Sequence, residues 1–380
     1  MKLCLLVFIW FCTFLILSAT GITGLNPLSL QATLQFSFFL LFYLLGSVLA
    51  LTIPFKKNNN NMMMIQKKSN LNLLFIFLTI FLIYSIIIII NLHLINKIEI
   101  DSYRKAFFDG SRNNLKYFGG AFLFYLYYIM TLIVFSLIPF FVGTSKIKIQ
   151  LLMFMCIVSY DLIYLSRTGI YYFLIAFICS AAIRNIKLKK ILFLTLIVLL
   201  FSVIVSIYRD ASKEIVKIIN NTIINYHIAP LILFDKNIIT EKNIFYDGFG
   251  YASLGIYNVI FKIVDPHIME SINELRAQMN IFYNLSNSEN IYMPYNAYYT
   301  TLGLFYIDIG FIGCCIITLL SGLVLSLLIR KSKNSECYKI ISIFFASLLI
   351  ESLFSPITIN IFAFVIIMFT LIYFLIRKKI

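Results

Sequence analysis

Apolar runs of membrane-spanning length recur from one end of this 380-residue chain to the other, and they restrict it to one kind of fold. A bilayer core about 30 Å thick is crossed by about 20 apolar residues in an α-helix. Lipid offers no partner for backbone N–H and C=O groups, so such runs fold as helices that bond internally. The predicted spans are roughly 3–19, 30–54, 71–91, 119–142, 149–166, 169–184, 191–207, 302–328, 339–354 and 359–376. With 61% hydrophobic and 12% charged residues, the chain has too few charges to cover a soluble domain of this size. The prediction is an all-α polytopic membrane protein of about ten transmembrane helices. Residues 1–207 hold helices one to seven, 208–297 one large hydrophilic loop, and 298–380 helices eight to ten. The first run follows Lys2 as a signal-peptide core would, but no convincing cleavage site follows it, and it reads as a retained span.

The net charge of +15 is informative through its placement. Basic residues cluster in alternate connections: Lys2; Lys56, Lys57, Lys67 and Lys68; Lys146 and Lys148; Arg184, Lys187, Lys189 and Lys190; Arg330, Lys331, Lys333 and Lys339; Arg377, Lys378 and Lys379. A single acid, Glu336, stands among them. The positive-inside rule puts this set, and both termini, in the cytoplasm. Short basic clusters between spans argue against nucleic-acid binding. In residues 208–297 acids slightly outnumber bases, so that loop faces outward. No Cys lies in the loop, and no metal-ligand spacing or cofactor motif appears anywhere. Asn58–Asn61 followed by Met62–Met64 reads as a low-complexity connector.

The long loop carries structure signals of its own. Asp265-Pro266 reads as an N-cap and first helical residue. Ile268, Ile272, Leu275, Met279 and Phe282 then recur at helical spacing, predicting an amphipathic helix over 266–284. Ser212 caps a shorter predicted helix. Tyrosines crowd the loop, among them Tyr251, Tyr295 and Tyr299. Interfacial belts use Tyr routinely, while rings and phenol hydroxyls also suit a carbohydrate platform, and both readings stand.

Ionisable side chains in or beside apolar spans cost on the order of 3 kcal/mol at mid-membrane, so they usually face a polar cavity or each other. Six such residues, Asp161, Arg167, Arg209, Asp210, Asp308 and Glu351, all fall toward the outer side in this topology. Arg167, in Ser166-Arg167-Thr168-Gly169, is placed to grip a phosphate bidentately or to pair with Asp161. Arg209-Asp210 follows span seven directly. Asp308 and Glu351 are each a candidate base or an anchor for an arginine. His227, in the loop, is a further candidate base.

The stretch from Pro294 to Gly303, Pro-Tyr-Asn-Ala-Tyr-Tyr-Thr-Thr-Leu-Gly, then Phe305-Tyr306-Ile307-Asp308-Ile309-Gly310 and Gly313, resembles the entry to the span after the large periplasmic loop of Wzy-type O-antigen polymerases. Asn26-Pro27 with Gly46, and Ser166-Arg167-Thr168-Gly169, are similar to features of that group. The resemblance implies a GT-C-like, metal-independent membrane glycosyltransferase with no cofactor. Its substrate would be an oligosaccharide repeat unit on undecaprenyl diphosphate, and its partners membrane lipid, a chain-length regulator and a flippase. The chemistry of such a transfer calls for cations at the diphosphate, with Arg167 and Arg209 the outer-edge candidates, and for a base at the acceptor hydroxyl, with Asp210, Asp308 or His227 the candidates. Substrate contacts would come from Tyr251, Arg276, Tyr295, Asn296, Tyr299 and Glu351. The Arg-x10-Gly pattern of some members is absent: Ile178, Asn220 and Asn287 stand eleven residues after Arg167, Arg209 and Arg276. An O-antigen ligase shares the large loop and the lipid diphosphate donor, and a flippase shares the lipid-linked unit. Both remain alternatives at this point.

Overall fold

The computed structural model describes residues 2–54, 68–98, 112–209, 224–241, 252–253, 277, 281, 283–287, 294–295, 300–333, 335–358 and 360–378. Its helices are α1 Lys2–Thr20, α2 Leu30–Thr52, α3 Lys68–Ile90, α4 Ala121–Phe141, α5 Ile147–Tyr164, α6 Thr168–Arg184, α7 Leu188–Arg209, α8 Tyr226–Phe234, α9 Thr301–Ser332, α10 Glu336–Glu351 and α11 Ile361–Lys378. A π-helical turn prolongs α3 over Asn91–Ile95, and another prolongs α8 over Asp235–Thr240. Two-residue strands, β1 Tyr283–Asn284 and β2 Pro294–Tyr295, pair antiparallel.

A helix occupies each of the ten predicted ranges. Seven helices among the described residues are long and apolar enough to cross a membrane. Helices α6 and α10 and the apolar part of α11 are shorter. Large apolar side chains stand exposed in stripes. On α7 they are Leu188, Leu192, Leu196, Leu200, Ile204 and Ile207, one per turn along a single face. Water would not tolerate an apolar face of that extent, and lipid does. Several buried hydroxyls are satisfied within their own helices: Ser85 donates to the Phe81 carbonyl, Thr131 to Tyr127 and Ser202 to Val198.

The chain forms two compact units, each assembled from separate stretches. One contains residues 1–60 and 219–363, hence α1, α2 and α8 to α10. Its most extensive helix pair is α2 against α9. The pair closes to backbone contact through glycine: a Cβ on Gly46 would overlap the Leu319 carbonyl, and one on Gly322 the Tyr43 carbonyl. Beside them Ser47 Oγ donates to the Gly322 carbonyl at 3.3 Å. At the basic end, the Arg330 guanidinium donates to the Ala50 and Ile53 carbonyls, capping the C-terminus of α2.

Two features of this unit depart from the expectations. Residues 208–297 are not one uniform hydrophilic excursion. Tyr226–Phe234 is an apolar helix buried from His227 onward, packed on α1, with Phe234 against Phe36 (5.1 Å) and Tyr306 (5.3 Å). At nine residues it is too short to cross a bilayer. Its continuation is anchored by Asp235, whose carboxylate accepts from Ser29 N (2.5 Å), Ser29 Oγ (2.7 Å) and Thr240 Oγ1 (2.9 Å). Ser29 is itself the N-cap of α2. Span eight, likewise, is not one straight helix. Gly310 has φ 64° and ψ −168°, so Thr301–Ile309 is a short helix and the rod continues from Phe311. The bend brings Cys314 Sγ within 3.5 Å of the Leu302 carbonyl. In an unbroken helix, residues twelve apart lie about 18 Å from each other along the axis.

The described loop segments of this unit meet one another. Leu25 bridges Ser286, Asn26 N donates to Leu285 O (2.8 Å), and Asn287 N donates to Gly24 O (3.1 Å). The turn after α1 therefore shares a side with the long loop, as the charge alternation requires. The other unit contains residues 61–218 and 364–380, hence α3 to α7 and most of α11. There Phe81 stacks on Tyr127 at 5.1 Å, and Ser136 Oγ donates to the Val365 carbonyl at 3.2 Å.

Candidate functional site

Four acids among the described residues are buried or half-buried, and their partners divide them sharply. Asp161, fully buried, accepts from Ser166 Oγ (2.5 Å), Gly169 N (3.1 Å) and Ile170 N (2.8 Å). It thus satisfies amides in the first turn of α6 that have no partner within the helix, and it shapes the turn that carries Arg167. Asp161 is not simply an ion-pair partner for Arg167, although Arg167 is near enough to act on it electrostatically. Asp235 is committed to Ser29 and Thr240. Asp308, just before the Gly310 break, accepts from Ala252 N (3.0 Å) and Ser253 N (2.6 Å) and so ties the long loop to the bend. We expect Asp308→Ala to release that segment. Limited proteolysis should then cut near Ala252 several-fold faster, and unchanged cleavage would contradict the anchor.

Glu351 is the exception. It ends α10 at 1% exposure, and its Oε1 is buried with no hydrogen-bond partner among the described residues. An unpaired buried oxygen costs about 1–3 kcal/mol, which marks a group kept for something other than stability. Around the end of α10 lies a polar seam. Thr301 N donates to Ser352 O (2.9 Å), Thr301 Oγ1 donates to Ser355 O (2.8 Å), and Ile357 N donates to Thr301 Oγ1 (3.1 Å). Thr300 caps the short helix by accepting from Gly303 N at 2.9 Å. The Thr-Thr pair in the stretch that resembles the polymerases therefore starts this helix and docks it on the end of α10.

Beside the seam is a cavity of about 260 Å³ within the same unit. Phe8, Phe11, Phe36 and Phe39 line it, and Thr301, Ser352 and Thr358 supply hydroxyls. Thr358 Oγ1 is buried without a partner among the described residues. A long apolar chain ending in a polar group matches that lining.

The remaining predicted residues are placed as follows. His227 lies in the buried helix α8 rather than in a loop, stacked on Phe14 (5.3 Å) with Phe354 edge-on at 4.3 Å and Trp10 at 6.2 Å. That aromatic cage makes it a packing element of the unit. Tyr295 pairs across β2 with Tyr283, whose ring carries Lys236 Nζ at 5.4 Å. Arg209 is the last residue of α7. Asp210, Tyr251, Arg276, Asn296 and Tyr299 lie outside the described residues, as do the helix predicted from Ser212 and most of that predicted over 266–284, whose last two residues, Tyr283 and Asn284, form the strand β1 instead. Sequence reasoning missed α8, Asp235 and the Gly310 break. The Ile228–Phe234 run was the available signal for the first, diluted in a span-length window by the polar residues on either side.

The fold and its exposed stripes define the class: a polytopic α-helical membrane protein with a polar seam and an apolar cavity in one of its units. Neither a protein-family model, nor a curated protein, nor a solved structure matches the chain.

Proposed function

We propose that this protein is a GT-C-like glycosyltransferase of the bacterial cytoplasmic membrane, with both termini inside. It polymerises undecaprenyl-diphosphate-linked oligosaccharide units on the periplasmic side. The observation that carries the reading is the apolar cavity beside a hydroxyl-lined seam, next to Glu351, a buried acid with one oxygen that has no partner among the described residues. The cavity suits the polyprenyl chain of the donor, and the seam suits its polar head. The acceptor hydroxyl of the next unit attacks the anomeric carbon of the growing glycan. The bond from that carbon to the phosphate oxygen breaks, and undecaprenyl diphosphate leaves. Glu351 takes the hydroxyl proton. The diphosphate charge that grows as the bond breaks needs a cation, and the sequence offers Arg167 and Arg209 as candidates. Flippase and chain-length regulator are the partners such a reaction calls for.

Deleting the gene should leave a single repeat unit on the lipopolysaccharide core, read as loss of the ladder on gels. Long chains with a normal modal length would refute the reading. Bare core would point to a ligase, and units held on the cytoplasmic leaflet to a flippase. Glu351→Gln keeps the shape of the side chain. It should lower polymerisation at least about 100-fold at unchanged membrane level. Wild-type chain length in that variant removes Glu351 from the chemistry.

A further inference from the structure

A second cavity, of about 420 Å³, lies in the unit built on α3 to α7, and none of its lining residues belongs to the seam of the proposed reaction. It joins the first turns of α3 to the connection between α4 and α5. Its lining combines two chemistries. Lys146, Lys148, Asn72 and Ser145 supply charge and hydrogen-bond donors, and Phe75 and Ile147 supply apolar surface that is 45% and 60% exposed. Neither lysine has an acidic partner among the described residues. The connection that displays them is braced. Gln150 Nε2 donates to Thr144 O at 2.6 Å, and Ser180 Oγ donates to Val142 O at 2.9 Å.

We propose that this crevice binds an anionic glycerophospholipid, with Lys146, Lys148 and Asn72 at the headgroup phosphate and the acyl chains along Phe75 and Ile147. Charge decides the headgroup: two ammonium groups with no acidic partner among the described residues favour a net negative lipid over a zwitterionic one. The exposed rings and branches decide against a free anion, which would leave them uncovered. Position agrees, because Leu71 and Ile147 open the apolar spans of α3 and α5, and span ends lie at headgroup level. A lipid held here would clamp α3 to α5 at the basic end of the unit.

The test uses the purified full-length protein in detergent, exposed to phosphatidylglycerol, to phosphatidylcholine of the same acyl chains, or to inorganic phosphate. Native mass spectrometry should find phosphatidylglycerol retained about tenfold more than phosphatidylcholine. In Lys146→Gln/Lys148→Gln that preference should vanish, and in Lys146→Arg/Lys148→Arg it should persist. Equal retention of the two lipids by wild type, or full preference in the glutamine variant, overturns the proposal. Competition on the wild type decides the matter should the glutamine variant not fold. Phosphatidylcholine or inorganic phosphate displacing phosphatidylglycerol at equal concentration overturns it too. None of these readouts involves polymerisation, so failure here leaves the proposed reaction standing.

Discussion

Gly322→Leu is expected to eliminate folded protein. Helices α2 and α9 meet at Gly46 and Gly322, and at both positions the atom that a Cβ would strike is a backbone carbonyl, not a side chain able to rotate away. Overpacking a close contact costs about 1–3 kcal/mol when neighbours can shift, and here they cannot without parting the helices. That separation would also break the Ser47 bond to the Gly322 carbonyl and draw Arg330 off the end of α2. Wild type fused to a fluorescent protein should elute as one symmetric peak, and the variant should appear in the void or be degraded. Ile316→Ala on the same helix, at a 53% exposed side chain, should leave the peak in place. A monodisperse Gly322→Leu would mean that the two helices are not packed through glycine.

Asp161→Ala is expected to lower stability by about 3 kcal/mol or more, since it strands one hydroxyl and two amide donors in a buried turn. Thermal unfolding in detergent measures it. Asp161→Asn should fall between, because the amide oxygen still accepts on one side while its NH2 group faces a backbone N–H on the other. The turn of Arg167 loosens with the cap, so a polymerisation assay should lose activity in step with stability. An unchanged melting temperature in Asp161→Ala would show that the carboxylate does not hold the turn.

The resemblance to O-antigen polymerases rests on residues whose work can now be separated. Thr300 and Thr301 start and dock a short helix, Gly46 permits a helix crossing, and Ser166 to Gly169 form a turn around Asp161. These are folding roles, readable in outline because caps and close crossings demand particular residue types. Glu351 was visible as a charge near the end of a span. That its Oε1 has no partner among the described residues, unlike the carboxylates of Asp161 and Asp235, was not visible, because pairing depends on residues far away in the chain. The same limit applied to Asp308, whose partners, Ala252 and Ser253, lie more than fifty residues before it. It applied also to His227, which needs Trp10, Phe14 and Phe354 around it to become a packing group.

By itself the sequence determined that the chain is helical, to within a few residues where its apolar helices begin and end, and that the turn after α1 shares a side with the long loop. Those properties follow from local hydropathy and charge, because lipid accepts only internally bonded backbone and the basic clusters lie at alternate span ends. Tertiary structure decided the rest: that the first two helices pack with α9 and α10, that an apolar nine-residue helix is buried inside the supposed loop, and that span eight breaks at Gly310. These depend on which surfaces meet. A hydropathy window averages over a short buried helix and a one-residue bend, so neither leaves a mark until its neighbours are in place.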